Sequence, residues 1–194
     1  MNDLILLAIL AEGPQHGYAL KKQAGMALGQ PDMHNNLVYP LLRRFVAQKW
    51  VTQRKTAGQR GQIRQVYSLT PVGRAALVDR LRQFDDPSSA EAFRLRVGLF
   101  ELLDPSAREK ILVGRENYLQ RREQRLALLE TEMDLGCYGS EVTKFMCQQI
   151  RAELSWIPRL RRMNRARQSP SSKDTKSSAL ARTPTFATRF TPAC

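Results

Sequence analysis

Asn35-Asn36-Leu37-Val38-Tyr39-Pro40-Leu41-Leu42-Arg43-Arg44 is the stretch that decides the architecture of this chain. Proline has no N–H, and its ring clashes with the carbonyl four residues back, so it fits a first helical turn and resists a helix interior. Pro40 therefore predicts a helix from about Asn36 to Gln48, with Asn35 or Asn36 supplying the N-cap oxygen. Leu37, Leu41, Leu42 and Phe45 follow the spacing of one apolar helical face. This leaves Asn36 to Tyr39 exposed at the helix's N-terminal end, with Arg43 and Arg44 one turn further on.

Upstream, Leu4 to Leu10 is apolar on all sides, which suits a short buried helix stopped by Gly13-Pro14. A second helix is expected from Tyr18 to about Leu28, with Leu20 and Ala24 at helical spacing and His16 capping its start. Gly29-Gln30-Pro31-Asp32 then breaks the chain. Downstream, Val51–Thr56 and Arg64–Leu69 alternate and read as two strands, joined by a loop in which Gly58 and Gly61 can take positive φ. Thr70-Pro71 is a cap followed by a first-turn proline, opening a helix to about Phe84. Three helices, a hairpin and a fourth helix make a winged helix-turn-helix pattern. In such proteins the N-terminal residues of the recognition helix meet base edges in the DNA major groove.

Asp85-Asp86-Pro87-Ser88-Ser89 marks a domain boundary. Beyond it a helix is expected over Ala90–Leu103, and Asp104-Pro105 repeats the cap-plus-proline signal. Leu112, Leu119, Leu126 and Met133 fall at seven-residue intervals, with Leu129 between the last two, which predicts a coiled-coil-like seam interrupted by Arg115 and Arg122. Gly136 to Gly139 is read as a turn, and Ser140 as the cap of a last helix with Val142, Phe145, Met146, Ile150, Leu154, Ile157 and Leu160 on one side. The fold class is thus mainly α: a winged helix-turn-helix with a two-stranded wing at 1–84, a helical dimerisation domain at 88–163, and a disordered basic tail at 164–194.

The net charge of +13 and pI near 10.3 favour nucleic acid or another anionic partner. Cys137, Cys147 and Cys194 form no disulfide framework or metal-ligand pair, so a reducing compartment is expected and the cysteines read as structural. The apolar run near the start is far short of the roughly 20 residues a membrane span needs. It also lacks a basic leader segment, and a soluble cytoplasmic protein is expected. The two histidines fall in turns, and no GxSxG, Walker or HExxH motif is present, so neither an enzyme nor a cofactor is expected.

Three motifs, Leu10-Ala11-Glu12-Gly13-Pro14-Gln15-His16-Gly17-Tyr18-Ala19-Leu20, Val38-Tyr39-Pro40-Leu41-Leu42-Arg43-Arg44 and Val66-Tyr67-Ser68-Leu69-Thr70-Pro71-Val72-Gly73-Arg74, in this order and spacing resemble the PadR family of bacterial transcriptional regulators. The distal half, with Phe93 to Leu103, the heptad helix and Glu153-Leu154-Ser155-Trp156-Ile157, is similar to the longer, virulence-activator-like branch. The resemblance implies a homodimeric winged-helix protein that binds double-stranded DNA at an inverted-repeat operator. Its members are often repressors and sometimes activators, their C-terminal helices form the dimer interface, and some are relieved by phenolic or other small hydrophobic ligands. The chain departs from the family just before Tyr39, where His34-Asn35-Asn36-Leu37 replaces a Ser/Thr-Pro-Gly-Thr-like segment, so no operator sequence carries over.

Asn35 and Asn36 can offer amides to an adenine edge or serve as the cap. Tyr39, Arg43 and Lys49 are candidates for phosphate, whereas Arg44, one residue round, is a candidate for an internal pair as well. Arg60 at the wing tip, with Arg54, Lys55 and Arg64 along its strands, is expected on the backbone or minor groove, and Tyr18, Lys21 and Lys22 near the backbone. Leu112, Leu119, Leu126, Leu129, Met133, Ile150 and Trp156 are the candidate dimer residues. Phe93 and Trp156 are candidates for an effector pocket, against a packing role on their apolar faces. A charge-driven, non-specific nucleic-acid binder acting through its basic tail is the alternative.

Overall fold

The computed structural model describes residues 1–27, 35–57 and 63–166. The described residues form two compact units, one ending at Gln83 and the other beginning at Phe84.

The first unit runs α1 (Asn2–Glu12), β1 (Gln15–His16), α2 (Gly17–Ala27), α3 (Asn35–Ala47), β2 (Val51–Ala57), β3 (Ile63–Leu69) and α4 (Pro71–Arg82). Helix α1 buries every residue from Leu4 to Leu10, because α2, α4 and β3 surround it. Its lack of amphipathicity is therefore a consequence of burial on all sides. Strands β2 and β3 pair antiparallel from Val51 opposite Leu69 to Ala57 opposite Ile63. Strand β1 adds to the other edge of β3, with His16 opposite Val66, so the sheet order is β1-β3-β2. His16, expected to cap α2, is thus a strand residue immediately before it.

Thr70 caps α4 as expected: its Oγ1 accepts from the Gly73 amide at 3.0 Å and donates to the Lys49 carbonyl at 2.7 Å. That contact ties the start of α4 to the turn between α3 and β2. A Cβ on Gly73 would lie 2.1 Å from the Trp50 carbonyl oxygen, so this close approach requires glycine.

Helix α3 starts within one residue of the expected position, but Pro40 lies deeper in it than a first-turn proline would. Helix α3 begins at Asn35 and carries Pro40 inside it, in the second turn. The ring therefore removes an amide that would have bonded the Asn36 carbonyl. The buried stripe is also shifted: Val38, Leu42 and Phe45 are fully buried, Leu41 is half-buried and Leu37 is exposed. A 3.6-residue period brings 38, 42 and 45 together and turns 37 outward.

The second unit contains α5 (Ala90–Gly98), a short 3-10 turn (Phe100–Leu102), α6 (Pro105–Glu132) and α7 (Gly136–Ala166). Ser89 and Asp104 cap α5 and α6 with side-chain bonds to the Ala92 and Ala107 amides. The helix expected over Ala90–Leu103 ends at Gly98, where the chain tightens into the 3-10 turn. Helices α6 and α7 pack along each other as an antiparallel hairpin. The expected turn at Gly136–Gly139 and cap at Ser140 are corrected: α7 already begins at Gly136, after Asp134 accepts the Gly136 amide at 3.1 Å. It continues past the expected domain end to Ala166. Asn164 is buried there because its amide donates to the Pro105 carbonyl and its oxygen accepts from Arg108. Residues 167–194 and the wing-tip residues 58–62, including Arg60, lie outside the described residues.

Candidate nucleic-acid interface

Charge is divided unevenly along the chain. Residues 1–83 hold twelve Lys/Arg and four Asp/Glu, whereas 84–166 hold fourteen and thirteen. Of these two stretches, residues 1–83 therefore hold the positive balance.

On α3, burial of Val38, Leu42 and Phe45 turns Tyr39, Pro40 and Arg43 outward. Asn35 and Asn36 stand in its first turn. Arg44 faces the α1 side. Its Nη2 lies 3.9 Å from Asp3 Oδ2, and its guanidinium lies 5.6 Å from the Phe45 ring centre. Arg80 also donates to Asp3 and stacks over Trp50 at 4.9 Å, while Trp50 stacks on Phe45 at 5.7 Å. Burial pushes the Asp3 carboxyl upward, but the Met1 ammonium, Arg80 and a bond from the Leu4 amide outweigh it, so it titrates below the ordinary range. The back of α3 is thus braced by a carboxylate held in its charged form.

Lys49 sits at the C-terminal turn of α3 with φ 59°, its amide bonded to Val46 and the Trp50 amide to Phe45. This pairing is a Schellman motif, whose left-handed position is usually glycine. The Lys49 side chain projects into solvent.

Along the wing, side chains alternate between faces. Arg54 and Arg64 share one face, and Lys55, Gln65 and Tyr67 share the other. All but Tyr67 are exposed. Tyr67 Oη donates to Gln65 Oε1 at 2.8 Å, and burial, then the neighbouring Tyr39, push its phenol up. Tyr18, which is exposed, joins Tyr39, Tyr67, Gly17, Arg64 and Gln65 around a hollow of about 710 Å³ between α2, α3 and the wing. Lys21 is half-buried and Lys22 exposed on α2. Gln65, Tyr67 and Gly17 were not identified from sequence, because only the pairing of β1 with β3 brings them beside Tyr39.

Residues 6–79, which carry all of this surface within the first unit, match the transcriptional regulator PadR-like family. Residues 6–79 are a PadR-like domain. No curated protein matches the chain. Among solved structures it is similar to Bacillus subtilis PadR in complex with operator DNA, at 20% identity over 84% of this chain and 98% of that one, with a TM-score of 0.40. It is also similar to smu.1604c from Streptococcus mutans UA159, at 17% identity over 81% and 96%, with a TM-score of 0.38. Bacillus subtilis PadR in complex with p-coumaric acid matches at 18% identity over 84% and 98%, with a TM-score of 0.37. The matched region has the helices and the three-stranded antiparallel sheet of a winged helix-turn-helix.

In the second unit, Leu112, Leu119, Leu126 and Ile150 are buried within the single chain, while Leu129 and Met133 are exposed near the far end of α6. Val142 and Phe145, expected on the apolar side of α7, are more than half exposed. Arg115, which interrupts the heptad, is buried and paired with Glu153 of α7. Phe93 is fully buried and meets Trp156 edge-on at 5.9 Å. No helix among the described residues is long and apolar enough to cross a membrane.

Proposed function

We propose that this PadR-like regulator is a cytoplasmic homodimer that represses transcription by binding an inverted-repeat operator. The N-terminal half of each α3 enters a major groove and each wing lies on the backbone or minor groove. The observation that carries this reading is the outward face of Tyr39 and Arg43 on α3, beside the exposed wing cations Arg54, Lys55 and Arg64. Asn35 and Asn36 at the helix start are the base-reading candidates. Tyr18, Lys21, Lys49 and the wing tip with Arg60 supply further backbone contacts. The hollow around Tyr39 suits a backbone phosphate, because tyrosine hydroxyls and arginines donate to its oxygens. Arg44, half-exposed and 3.9 Å from an Asp3 that it shares with Arg80 and the Met1 ammonium, both braces the fold and keeps charge for the DNA. The dimer forms through the helical unit, where Leu129 and Met133 remain exposed. A small hydrophobic effector bound near Trp156 modulates the regulator.

Selection of bound duplexes from a random pool yields the operator, and affinity is then measured against salt. The expected result is a steep fall in affinity, because each neutralised phosphate releases counterions. The Tyr39→Ala, Arg43→Ala double variant should lose operator binding while remaining dimeric. Unchanged binding would refute the assignment of α3. If instead deletion of 167–194 removes all affinity, the alternative of a tail-driven, non-specific binder holds.

A further inference from the structure

Tyr67 stands in the central strand β3, opposite Gln15 of β1 and Gln53 of β2. It is 4% exposed. Its ring lies against Gly17 at the start of α2, where an added Cβ would come within 3.4 Å of its Cε2. Three strands and a helix therefore fix where its hydroxyl can be. Gln65 lies two residues back on the same face of β3 and is exposed. Tyr67 Oη donates to Gln65 Oε1 at 2.8 Å. Burial, then Tyr39, push the phenol above its ordinary range, with Arg43 acting against them. The phenol thus keeps its proton and remains the donor of this bond.

A glutamine amide carries an acceptor at one end and two donors at the other. A glutamine that reads adenine uses both ends. In Gln65 the oxygen is turned back to Tyr67, and the planar amide then points its amino group the other way. Gln65 lines the hollow beside Tyr39 together with Arg64 and Tyr18, all of which can donate. Among the described residues, none of those lining the hollow is acidic.

We propose that Gln65 donates to an operator phosphate seated in this hollow, and that Tyr67 is the positioning residue that sets its amide. The proposal rests on the reading that α3 and the wing bind DNA. It adds which wing residue shares a phosphate with Tyr39, and what orients it. An unanchored amide would set its oxygen against the phosphate in part of its conformations, and ordering it on binding costs side-chain entropy. Tyr67 meets that cost in the free protein. Because phosphate contacts position a protein without reading sequence, Gln65 adds affinity and no base preference.

The test measures affinity of the full chain for its selected operator and for an unrelated duplex of equal length, at one salt concentration. Gln65→Ala should weaken both by the same factor, about tenfold. Gln65→Lys, which can only donate, should bind both within about threefold of the parent. Gln65→Glu still accepts from Tyr67 but offers the phosphate no donor and adds an anion, so it should bind more weakly than Gln65→Ala. Tyr67→Phe keeps the ring and should cost about threefold in the parent, with no further loss in the Gln65→Ala background. Neutral methylphosphonates placed one at a time along the operator should reveal a phosphate whose loss weakens the parent about tenfold and leaves Gln65→Ala within about twofold. Gln65→Glu binding as well as the parent overturns the proposal. So does a Gln65→Ala loss confined to the operator, which marks a base contact. An equal cost of Tyr67→Phe in both backgrounds removes the positioning role, since a purely structural tyrosine behaves that way. The Gln65 variants alter an exposed side chain, so their outcome stands even if Tyr67→Phe does not fold. A parent chain that binds neither duplex overturns the DNA reading itself, whereas failure of the Gln65 series in a parent that binds overturns this proposal alone.

Discussion

A lysine at the end of α3 holds a backbone conformation that costs a side-chain-bearing residue about 1–2 kcal/mol. Lys49 adopts φ 59° where the Schellman turn ordinarily takes glycine. Its amide and that of Trp50 close the turn, and its carbonyl accepts the Thr70 hydroxyl that also caps α4. The local energetics thus favour glycine, while the proposed phosphate contact favours a charge at this exposed corner. Lys49→Gly should raise the urea midpoint of the PadR-like domain, corresponding to about 1 kcal/mol after the added unfolded-state entropy is offset. The same variant should bind the operator more weakly, with a salt slope lower by about one. A stabilised variant with unchanged affinity would remove Lys49 from the interface.

At the scale of elements, the elements read most directly from sequence were those whose signals are local. Thr70-Pro71 and Asp104-Pro105 announced α4 and α6, because a cap and a first-turn proline act on their own helix. What escaped depends on distant partners. Strand β1 is two residues long and exists through its pairing with β3, and Gly139 reads as a breaker until the packing of α6 against α7 holds it in a helix. The heptad of α6 was legible, but not that its leucines through Leu126 are buried within one chain, nor that Arg115 finds Glu153. The candidate interface divides in the same way: the exposed cations were identified from pattern, whereas the hollow that Gly17 opens beside Tyr39 was not. A Cβ at Gly17 would lie 3.1 Å from Tyr39 Cε1 and 3.4 Å from Tyr67 Cε2. Gly17→Ala should therefore push Tyr39 aside at little cost to folding, since alanine favours the helix start it occupies. A loss of operator affinity of about tenfold, with the urea midpoint nearly unchanged, is the expected outcome. Retained affinity would mean that Tyr39 acts from outside the hollow.

At the scale of the whole molecule, the partition of charge sets the conditions under which each half is stable. The first 83 residues concentrate cations, and such an excess opposes the compact state through self-repulsion. They contain four acidic residues, of which Asp3 is drawn into the back of α3 with Arg80 and Arg44. Its carboxyl is held below the usual 3.8 despite burial that acts the other way. An acid with a depressed folded pKa binds fewer protons in the folded state, so its contribution is fully present above the ordinary value and is lost as pH falls through the depressed one. Asp3→Asn should therefore lower the urea midpoint of the PadR-like domain at pH 7. The gap from the parent chain should close as the pH drops below about 3.9 and through the depressed folded value. The helical unit, with fourteen bases against thirteen acids and Glu153 held by Arg115, should show no such difference between the two proteins. Following Trp50 and Trp156 separately, by replacing the other with phenylalanine, reports on the two halves in one titration. A gap that stays constant down to pH 2 would show that Asp3 acts through packing and not through its charge.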